Sequence, residues 1–152
     1  MQCNVGIHPK YLPDQILLAE YRELPIVVGS LRRNGWQIKS NVPERFGLGP
    51  GHVNFFKLRL IYLSERHYAV KKECARRGFN CIVLTMDPLL YPEEFRHRWE
   101  PTMDDSMVIR KRVIERMTAK PFNYWRQYSI VLDVYEMAIA INNIRNGELF
   151  FV

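Results

Sequence analysis

DQILLAEYRELPIVVGSLRRN, residues 14–34, is the segment with the clearest structural pattern in this sequence. Its apolar residues recur at i, i+4, i+7, i+11 and i+14, a spacing that predicts a long helix with one buried face. That face contains Leu17, Tyr21, Leu24, Val28 and Leu31. Pro13 suits the start of this helix and Gly35 its end. Pro25 removes a backbone donor within the helix and predicts a bend there.

A second helix is predicted over about residues 54–77. Its apolar positions again follow one helical face, and Gly78 can end it in a left-handed conformation. The predicted buried stripe contains Phe56, Leu60, Leu63, His67, Val70 and Cys74. Residues 39–51, which precede this helix, are rich in glycine and proline and predict a loop.

The rest of the chain predicts a long connector and two more helices. Residues 80–105 contain three prolines and an acidic cluster and predict a long connector with a short helical turn at about 92–95. A third helix should end at Ala119, before Pro121, and present Ile109, Val113 and Met117 to the core; its candidate caps are Asp104, Asp105 and Ser106. A fourth is predicted over about residues 124–143 and should end before Gly147, with Trp125, Tyr128, Leu132, Tyr135 and Ile139 on its apolar face.

The overall pattern predicts an all-α fold. No segment shows the alternation of a half-buried strand, and no internal repeat is visible. A chain of 152 residues can bury roughly 70% of its unfolded surface as one unit. We therefore expect a compact single domain over residues 1–152, with a long proline-bent N-terminal helix and extended loops.

Composition excludes several classes of protein. With 47% apolar and 25% charged residues, the chain is neither disordered nor fibrous. It has no run of 18 apolar residues and does not open with a secretion signal, so we expect a cytoplasmic protein without a membrane partner. Three cysteines make a disulfide framework improbable, and no cysteine or histidine spacing matches a zinc site. We expect no metal, no cofactor and a monomeric protein.

The positive charge is concentrated in two blocks. Residues 32–77 carry eleven basic side chains against three acidic ones, a net +8, and residues 110–126 carry six against one, a net +5. Between them, residues 87–105 hold six acidic side chains and two arginines. Two basic blocks could neutralise DNA phosphates on one face. Charges dispersed around helices for solubility are the alternative interpretation.

Three separated motifs give a more specific indication. They are LAEYRELP at residues 18–25, GPGHV at 49–53 followed by two phenylalanines at 55–56, and ECARRGFN at 73–80. In this order they resemble the pyrimidine-dimer DNA glycosylase and AP lyase family, the family of the phage endonuclease V-like enzymes. The resemblance covers roughly residues 1–128 and leaves a C-terminal helical extension over about 129–152.

The resemblance implies a DNA-repair enzyme. Such proteins are compact and helical, act on double-stranded DNA that contains damaged or abasic sites, and attack the sugar C1′ with the α-amine at the chain start. An α-amine ordinarily has a pKa of about 7.7–8.0, so it is neutral more often near pH 7 than a lysine. Glu23 matches the family's acid/base glutamate. The DNA-binding residues implied are Arg22, Arg112, Arg116, Lys120 and Arg126.

The chain start decides which amine is the nucleophile. Gln2 is bulky enough to predict that Met1 is retained, so that the amine belongs to Met1; if Met1 is removed, it belongs to Gln2. The expected catalytic residues are therefore Glu23, Met1 and Gln2. The predicted activity is excision of a damaged pyrimidine, a UV-induced dimer above all, through an imine, followed by strand cleavage.

Two other functions remain open at this stage. One is a DNA-binding homologue that has lost catalysis. The other is a glycosylase of the same fold for another modified base. The second is suggested by Cys3, Ile16 and Ile26, which stand where the viral enzymes have basic residues that help to hold DNA.

Overall fold

The computed structural model describes residues 1–49, 51–81, 85–121 and 123–152, and most of them are helical, as predicted. None of the helices in these ranges is long and apolar enough to cross a bilayer. The elements are α1 (Asp14–Arg33), α2 (His52–Phe56), α3 (Leu60–Arg76), α4 (Met103–Thr118), β1 (Arg126–Gln127), β2 (Ile130–Val131) and α5 (Val134–Asn146), with 3-10 turns at Pro9–Tyr11, Pro88–Leu90 and Glu93–Phe95.

The predicted amphipathic pattern of α1 is confirmed. Its five stripe residues are all buried, and the helix packs along α3, whose predicted stripe is buried as well. Pro25 lies within a continuous 20-residue helix and does not end it. Gly35 follows with a positive φ of 61°, a conformation that glycine adopts at little cost. Residues 39–49 and 51 contain no helix or strand, as the loop prediction required.

The prediction of one helix over residues 54–77 is wrong, because the chain leaves the helical conformation between α2 and α3. Arg59 has φ −112° and ψ 47° and pairs with Arg96 in an isolated β-bridge. His97 also donates its backbone N–H to the Leu58 carbonyl at 3.0 Å. The Arg59 guanidinium binds the Phe55 carbonyl at 2.6 Å, which satisfies an acceptor at the end of α2. Pairing with the connector therefore replaces one turn of helix.

The connector contains the predicted short turn and a further 3-10 turn at Pro88–Leu90 that was not predicted, and α4 follows the prediction except at the cap. The predicted turn at about 92–95 corresponds to the 3-10 turn, whereas residues 82–84 lie outside the described chain. The N-cap of α4 is Thr102, which forms a capping box with Asp105, so Asp104, Asp105 and Ser106 lie inside the first turn. The predicted apolar side of α4 is buried.

The predicted fourth helix over residues 124–143, and the absence of strands, are wrong. Tyr128 and Ser129 both have positive φ values, 51° and 64°, and form the turn of a two-residue hairpin between β1 and β2. The Asp14 carboxylate accepts hydrogen bonds from both of their backbone N–H groups, at 3.1 and 2.7 Å. α5 begins only after Asp133, which caps it with Glu136. This turn depends on a carboxylate more than 110 residues away, so local periodicity could not reveal it.

The face of α5 that packs inward also differs from the prediction. Tyr135 and Ile139 are exposed, at 77% and 49%, while the buried side chains are Met137, Ala140 and Ile144, which face α4. The prediction continued one helical pattern through residues that form the hairpin. It therefore assigned the wrong residues of α5 to the buried face. Trp125 is buried as expected and donates its indole N–H to the Met117 carbonyl at 2.9 Å.

The C-terminal residues pack against the start of the chain. Phe150 donates its backbone N–H to the Gly6 carbonyl at 3.0 Å, and Arg110 binds the carbonyls of Gly6 and Glu148 at 3.2 and 3.1 Å. Gly6 has a φ of 70°, and a Cβ there would lie 2.5 Å from Ser106 Oγ. These contacts join Gly6 to the C-terminal residues and to Arg110 of α4.

Candidate active site

The first residues of the chain lie along α1 and are held by two glutamates of that helix. Glu20 and Glu23 are three residues apart, a spacing that places them on one helical face. The Glu20 carboxylate accepts from the backbone N–H of Asn4 at 2.8 Å and from its side-chain amide at 2.7 Å. Glu23 Oε2 accepts the backbone N–H of Gln2 at 2.7 Å, and the Met1 amine nitrogen lies 3.6 Å from the same oxygen.

Glu20 is fixed by a fully buried arginine. Arg66 of α3 binds both carboxylate oxygens, with Nε at 2.8 Å and Nη2 at 3.0 Å, and neither side chain is exposed. Its remaining nitrogen, Nη1, donates to the Ile7 carbonyl at 2.6 Å. Burial lowers the pKa of Arg66, but the ion pair with Glu20 more than compensates, and the pKa lies above its usual value. This network positions residues 4–7 rigidly on α1 and α3.

Glu23 has a different environment from Glu20. Its side chain remains 32% exposed, whereas the side chain of Met1 is only 6% exposed and packs against the core. The carboxylate therefore contacts the start of the chain and still faces solvent. A group in this position can bind the amine and also reach a molecule that enters from outside.

The start of the chain also lines a cavity of about 260 Å³. Met1, Gln2, Cys3 and Asn4 form one wall. The other lining residues are Ile16 of α1, His52 of α2, and Ile109, Arg112, Val113 and Arg116 of α4. Arg112 and Arg116 are four residues apart and so project from the same face of α4. The cavity is lined by two arginines, by the first four residues of the chain and by the apolar residues Ile16, Ile109 and Val113.

His52 is a buried polar side chain of this cavity for which sequence analysis gave no role. It is 7% exposed and packs edge-on against Phe46 and Phe56, with ring centroids 5.5 Å apart in each case. Burial lowers its pKa, a hydrogen bond with the Gly47 backbone opposes this, and the charges of Arg112 and the Met1 amine lower it further. His52 is therefore a neutral imidazole near pH 7. Its position in the GPGHV motif is the feature of the sequence that could have marked it as a candidate site residue.

Cys3 lines the cavity but is unsuited to nucleophilic attack. Its side chain is 2% exposed, and burial raises the pKa of its thiol well above the usual value, with the charge of Glu20 adding to the effect. A thiolate is the reactive form of cysteine, so Cys3 remains an inert thiol. In the described ranges, no cluster of three histidine, cysteine or acidic side chains could hold a metal ion.

The structure brings some of the predicted site residues together and leaves others apart. Met1, Gln2, Arg112 and Arg116 line the cavity, and Glu23 contacts the first two. The three other predicted DNA-binding residues, Arg22, Lys120 and Arg126, are exposed and do not belong to the described lining of the cavity.

The exposed residues away from the cavity have different neighbours. Lys120 lies with its ammonium group 5.3 Å from the ring centroid of Tyr124. Arg126 is in β1, where its backbone N–H binds the Gln15 side chain at 3.0 Å. Both residues are therefore located at the hairpin end of the molecule, and Arg22 on the exposed face of α1.

Comparison with known protein families gives a match to the model described as pyrimidine dimer DNA glycosylase, over residues 3–84. The match covers more than half of the chain and includes Glu20, Glu23 and His52, while the two cavity arginines of α4 lie beyond it. It agrees with the resemblance that the three sequence motifs indicated. A family of this description acts on DNA and contributes to the repair of DNA damage. The chain belongs to the pyrimidine dimer DNA glycosylase family.

Proposed function

We propose that this protein is a DNA glycosylase with AP lyase activity, in which the α-amine of Met1 is the nucleophile and Glu23 its acid/base partner. The observation that carries the proposal is the distance of 3.6 Å between the Met1 nitrogen and Glu23 Oε2, with the N–H of Gln2 bound to the same oxygen. This contact supports the proposal, because nucleophilic catalysis by an amine needs a carboxylate or other base close to it.

The reaction proceeds in two stages. The neutral amine attacks C1′ of the damaged nucleotide, a C–N bond forms, and the glycosidic bond breaks with its electron pair leaving on the base. The C1′–O4′ bond then breaks with its electron pair on O4′, which takes up the proton that the amine loses through Glu23, and an imine forms between Met1 and C1′. A proton then leaves C2′, and the C3′–O bond breaks, which cleaves the strand on the 3′ side. Glu23 accepts the amine proton and stabilises the positive charge that develops on the sugar.

The cavity arginines fit the role of phosphate ligands. Arg112 and Arg116 line the same cavity as Met1, and guanidinium forks match phosphate geometry. Arg22, Lys120 and Arg126 would extend this contact along the duplex, since phosphate contacts position a protein on DNA without reading its sequence. We propose a damaged or abasic duplex as the substrate, with a UV-induced pyrimidine dimer as the lesion suggested by the family.

The test uses Glu23→Gln, with Glu65→Gln as the matched control. Glu65 forms an exposed pair with Arg98 at 3.0 Å and does not line the cavity at the chain start. We expect Glu23→Gln to lower strand cleavage by at least about 100-fold while duplex binding stays close to wild type. Glu65→Gln should cleave like the wild type. Cleavage by Glu23→Gln at the wild-type rate would refute the proposal.

A specific observation favours one second candidate, a glycosylase of the same fold for another modified base. Cys3 and Ile16 line the cavity and are buried, so this wall is apolar where the viral enzymes have basic residues. A panel of duplexes that carry either a thymine dimer or single modified bases separates the two. Release of a modified base with no action on dimers would favour the second candidate.

A further inference from the structure

The hairpin and the outer side of α5 together expose a set of apolar side chains. We call these five residues the α5 face, and between 43% and 77% of each residue is exposed: Tyr128, Ile130, Val134, Tyr135 and Ile139. Tyr128, Ile130 and Ile139 line one open groove of about 470 Å³, and Tyr135 lies one turn before Ile139 on α5. The hairpin and α5 therefore contribute to one apolar surface.

α5 is apolar on two sides, whereas a helix at the surface of a globular protein is ordinarily apolar on one. Its inner side is buried against α4, and its outer side carries three members of the α5 face. The apolar spacing of this segment predicted burial of Tyr128, Tyr135 and Ile139, and a single chain leaves all three exposed. Because helices that are apolar all round are ordinarily buried, this pattern indicates that a partner covers the outer side.

The exposed area of the α5 face is close to what an interface needs. Aromatic side chains bury about 150–250 Å² each and aliphatic ones somewhat less, so the exposed fractions of the five residues amount to roughly 600 Å². A standard interface buries about 800 Å² on each partner, part of which is its polar rim. The α5 face is therefore large enough to form the apolar centre of an interface.

The charge of the C-terminal segment favours a second copy of this chain as that partner. The whole chain carries a net charge of +6, so two copies repel each other where their basic blocks approach. Residues 129–152 carry one basic side chain against three acidic ones, a net −2. This net charge permits the approach of a basic protein and disfavours a polyanion such as DNA.

α5 is also complementary to itself in the antiparallel direction. Its acidic residues, Asp133 and Glu136, lie at its start, and its basic residue, Arg145, lies in its last turn. Asp133 and Arg145 are each six residues from Ile139, or about 9 Å along the helix axis. Two such helices that meet antiparallel at Ile139 bring Arg145 of one copy to Asp133 of the other, twice in each pair. Opposite charges at matching positions fix the direction and the register of the pair.

We propose that this protein forms a homodimer through the α5 face, with the two α5 helices antiparallel and their Ile139 residues at the twofold axis. The same surface then serves both copies, as in other isologous interfaces. In this register Tyr135 of one copy lies opposite Asn143 of the other, which lines the groove. A homodimer replaces the monomer expected from the sequence. The described lining of the chain-start cavity contains no residue of the hairpin or of α5, so the inference does not depend on the proposed chemistry.

The first test is sedimentation velocity of the full chain without DNA, from about 1 µM to about 200 µM at one fixed salt concentration. We expect the wild type to sediment as a dimer at the upper concentrations. Ile139→Lys should weaken association at least about 10-fold, because the two added charges meet at the twofold axis and lose their hydration. Val108→Lys is the matched control, since Val108 of α4 has nearly the same exposure and the added charge is the same. It should associate like the wild type.

A second test measures the register of the two helices. Cys3, Cys74 and Cys81 are buried, so a cysteine introduced on the α5 face is the accessible thiol. In Ile139→Cys the two thiols meet at the twofold axis, and oxidation by diamide, which takes up two electrons and two protons, should join the two chains by a disulfide. In Val134→Cys the two equivalent positions lie about 15 Å apart along the helix axes, beyond the Cα–Cα limit of about 7 Å for a disulfide, and little cross-linking is expected.

Three results would overturn the inference. The first is a wild type that stays monomeric up to about 200 µM; if Ile139→Lys then binds duplex DNA more weakly than Val108→Lys does, the α5 face belongs to DNA. The second is a dimer that Ile139→Lys weakens no more than Val108→Lys, which would mean that another surface pairs. The third is equal cross-linking of Ile139→Cys and Val134→Cys, which would exclude the antiparallel register. If Ile139→Lys does not fold, as judged by circular dichroism, Tyr135→Lys replaces it.

Discussion

Replacing Glu20 by glutamine should destabilise the protein strongly, because Glu20 is the buried acceptor that joins the start of the chain to α3. Each of its oxygens accepts two hydrogen bonds: Oε1 from Asn4 N and Arg66 Nε, and Oε2 from Asn4 Nδ2 and Arg66 Nη2. In Glu20→Gln one oxygen becomes an NH₂ group, which faces two donors, and Arg66 becomes a buried cation without a counter-ion.

The expected loss follows from these contacts. Two buried donors without partners cost about 1–3 kcal/mol each, and removal of one partner from a buried ion pair costs about 3–5 kcal/mol. We expect the free energy of unfolding to fall by about 3–5 kcal/mol. For a chain of 152 residues this corresponds to a lowering of Tm by about 6–20 °C. Urea unfolding followed by tryptophan fluorescence gives the free energy, and thermal circular dichroism gives the Tm.

Two comparisons make the result interpretable. Glu65→Gln removes an exposed ion pair, in which Arg98 is 75% and Glu65 38% exposed, and should cost less than about 1 kcal/mol. Adding Arg66→Met to Glu20→Gln removes the uncompensated cation and should restore part of the stability. A loss in Glu20→Gln as small as that in Glu65→Gln would refute the role assigned to the buried pair.

Three further predictions concern DNA contact, the hairpin and pH. Arg112→Gln should weaken duplex binding and reduce the slope of log K against log salt by about 1, as measured by fluorescence anisotropy, whereas an unchanged slope would remove Arg112 from the phosphate contacts. Asp14→Ala removes the acceptor of the hairpin turn and an ion pair with Arg77, and should lower the free energy of unfolding by about 2–4 kcal/mol in urea; a loss below about 0.5 kcal/mol would contradict this. Burial holds the pKa values of His52 and His67 below their usual 6.5, so the unfolded chain binds protons that the folded chain does not, and the free energy of unfolding should fall as the pH is lowered through 6.5. The slope should approach about 1.4 kcal/mol per pH unit for each histidine, and stability that stays constant between pH 7 and 5 would contradict it.

The helices that sequence predicted well are those whose pattern is local. The stripe of α1 repeats on one face for four turns, and burial against α3 follows directly from it. The break before α3 could not be predicted in this way, because it depends on the pairing of Arg59 with Arg96 in a distant loop. The hairpin was missed for the same reason, since its turn is bound by the carboxylate of Asp14.

In the candidate site, too, the sequence indicated some residues, whereas others could be recognised only from tertiary contacts. The resemblance singled out Glu23, whereas the periodicity of α1 alone marks it only as a polar residue of a helix. Glu20 lies in the same motif, but its burial depends on Arg66, 46 residues later in the chain. His52 lines a cavity whose other walls belong to the chain start, α1 and α4, and this grouping depends on tertiary structure.

Borohydride trapping of the untagged protein on an abasic duplex, with peptide mass analysis of the adduct, tests the proposed chemistry most directly. Reduction fixes an imine as a stable covalent bond, so the modified peptide identifies the nucleophile. We predict one adduct, located on the α-amine of Met1. An adduct on a lysine side chain, or the absence of any adduct from protein that binds and cleaves the duplex, would contradict the account.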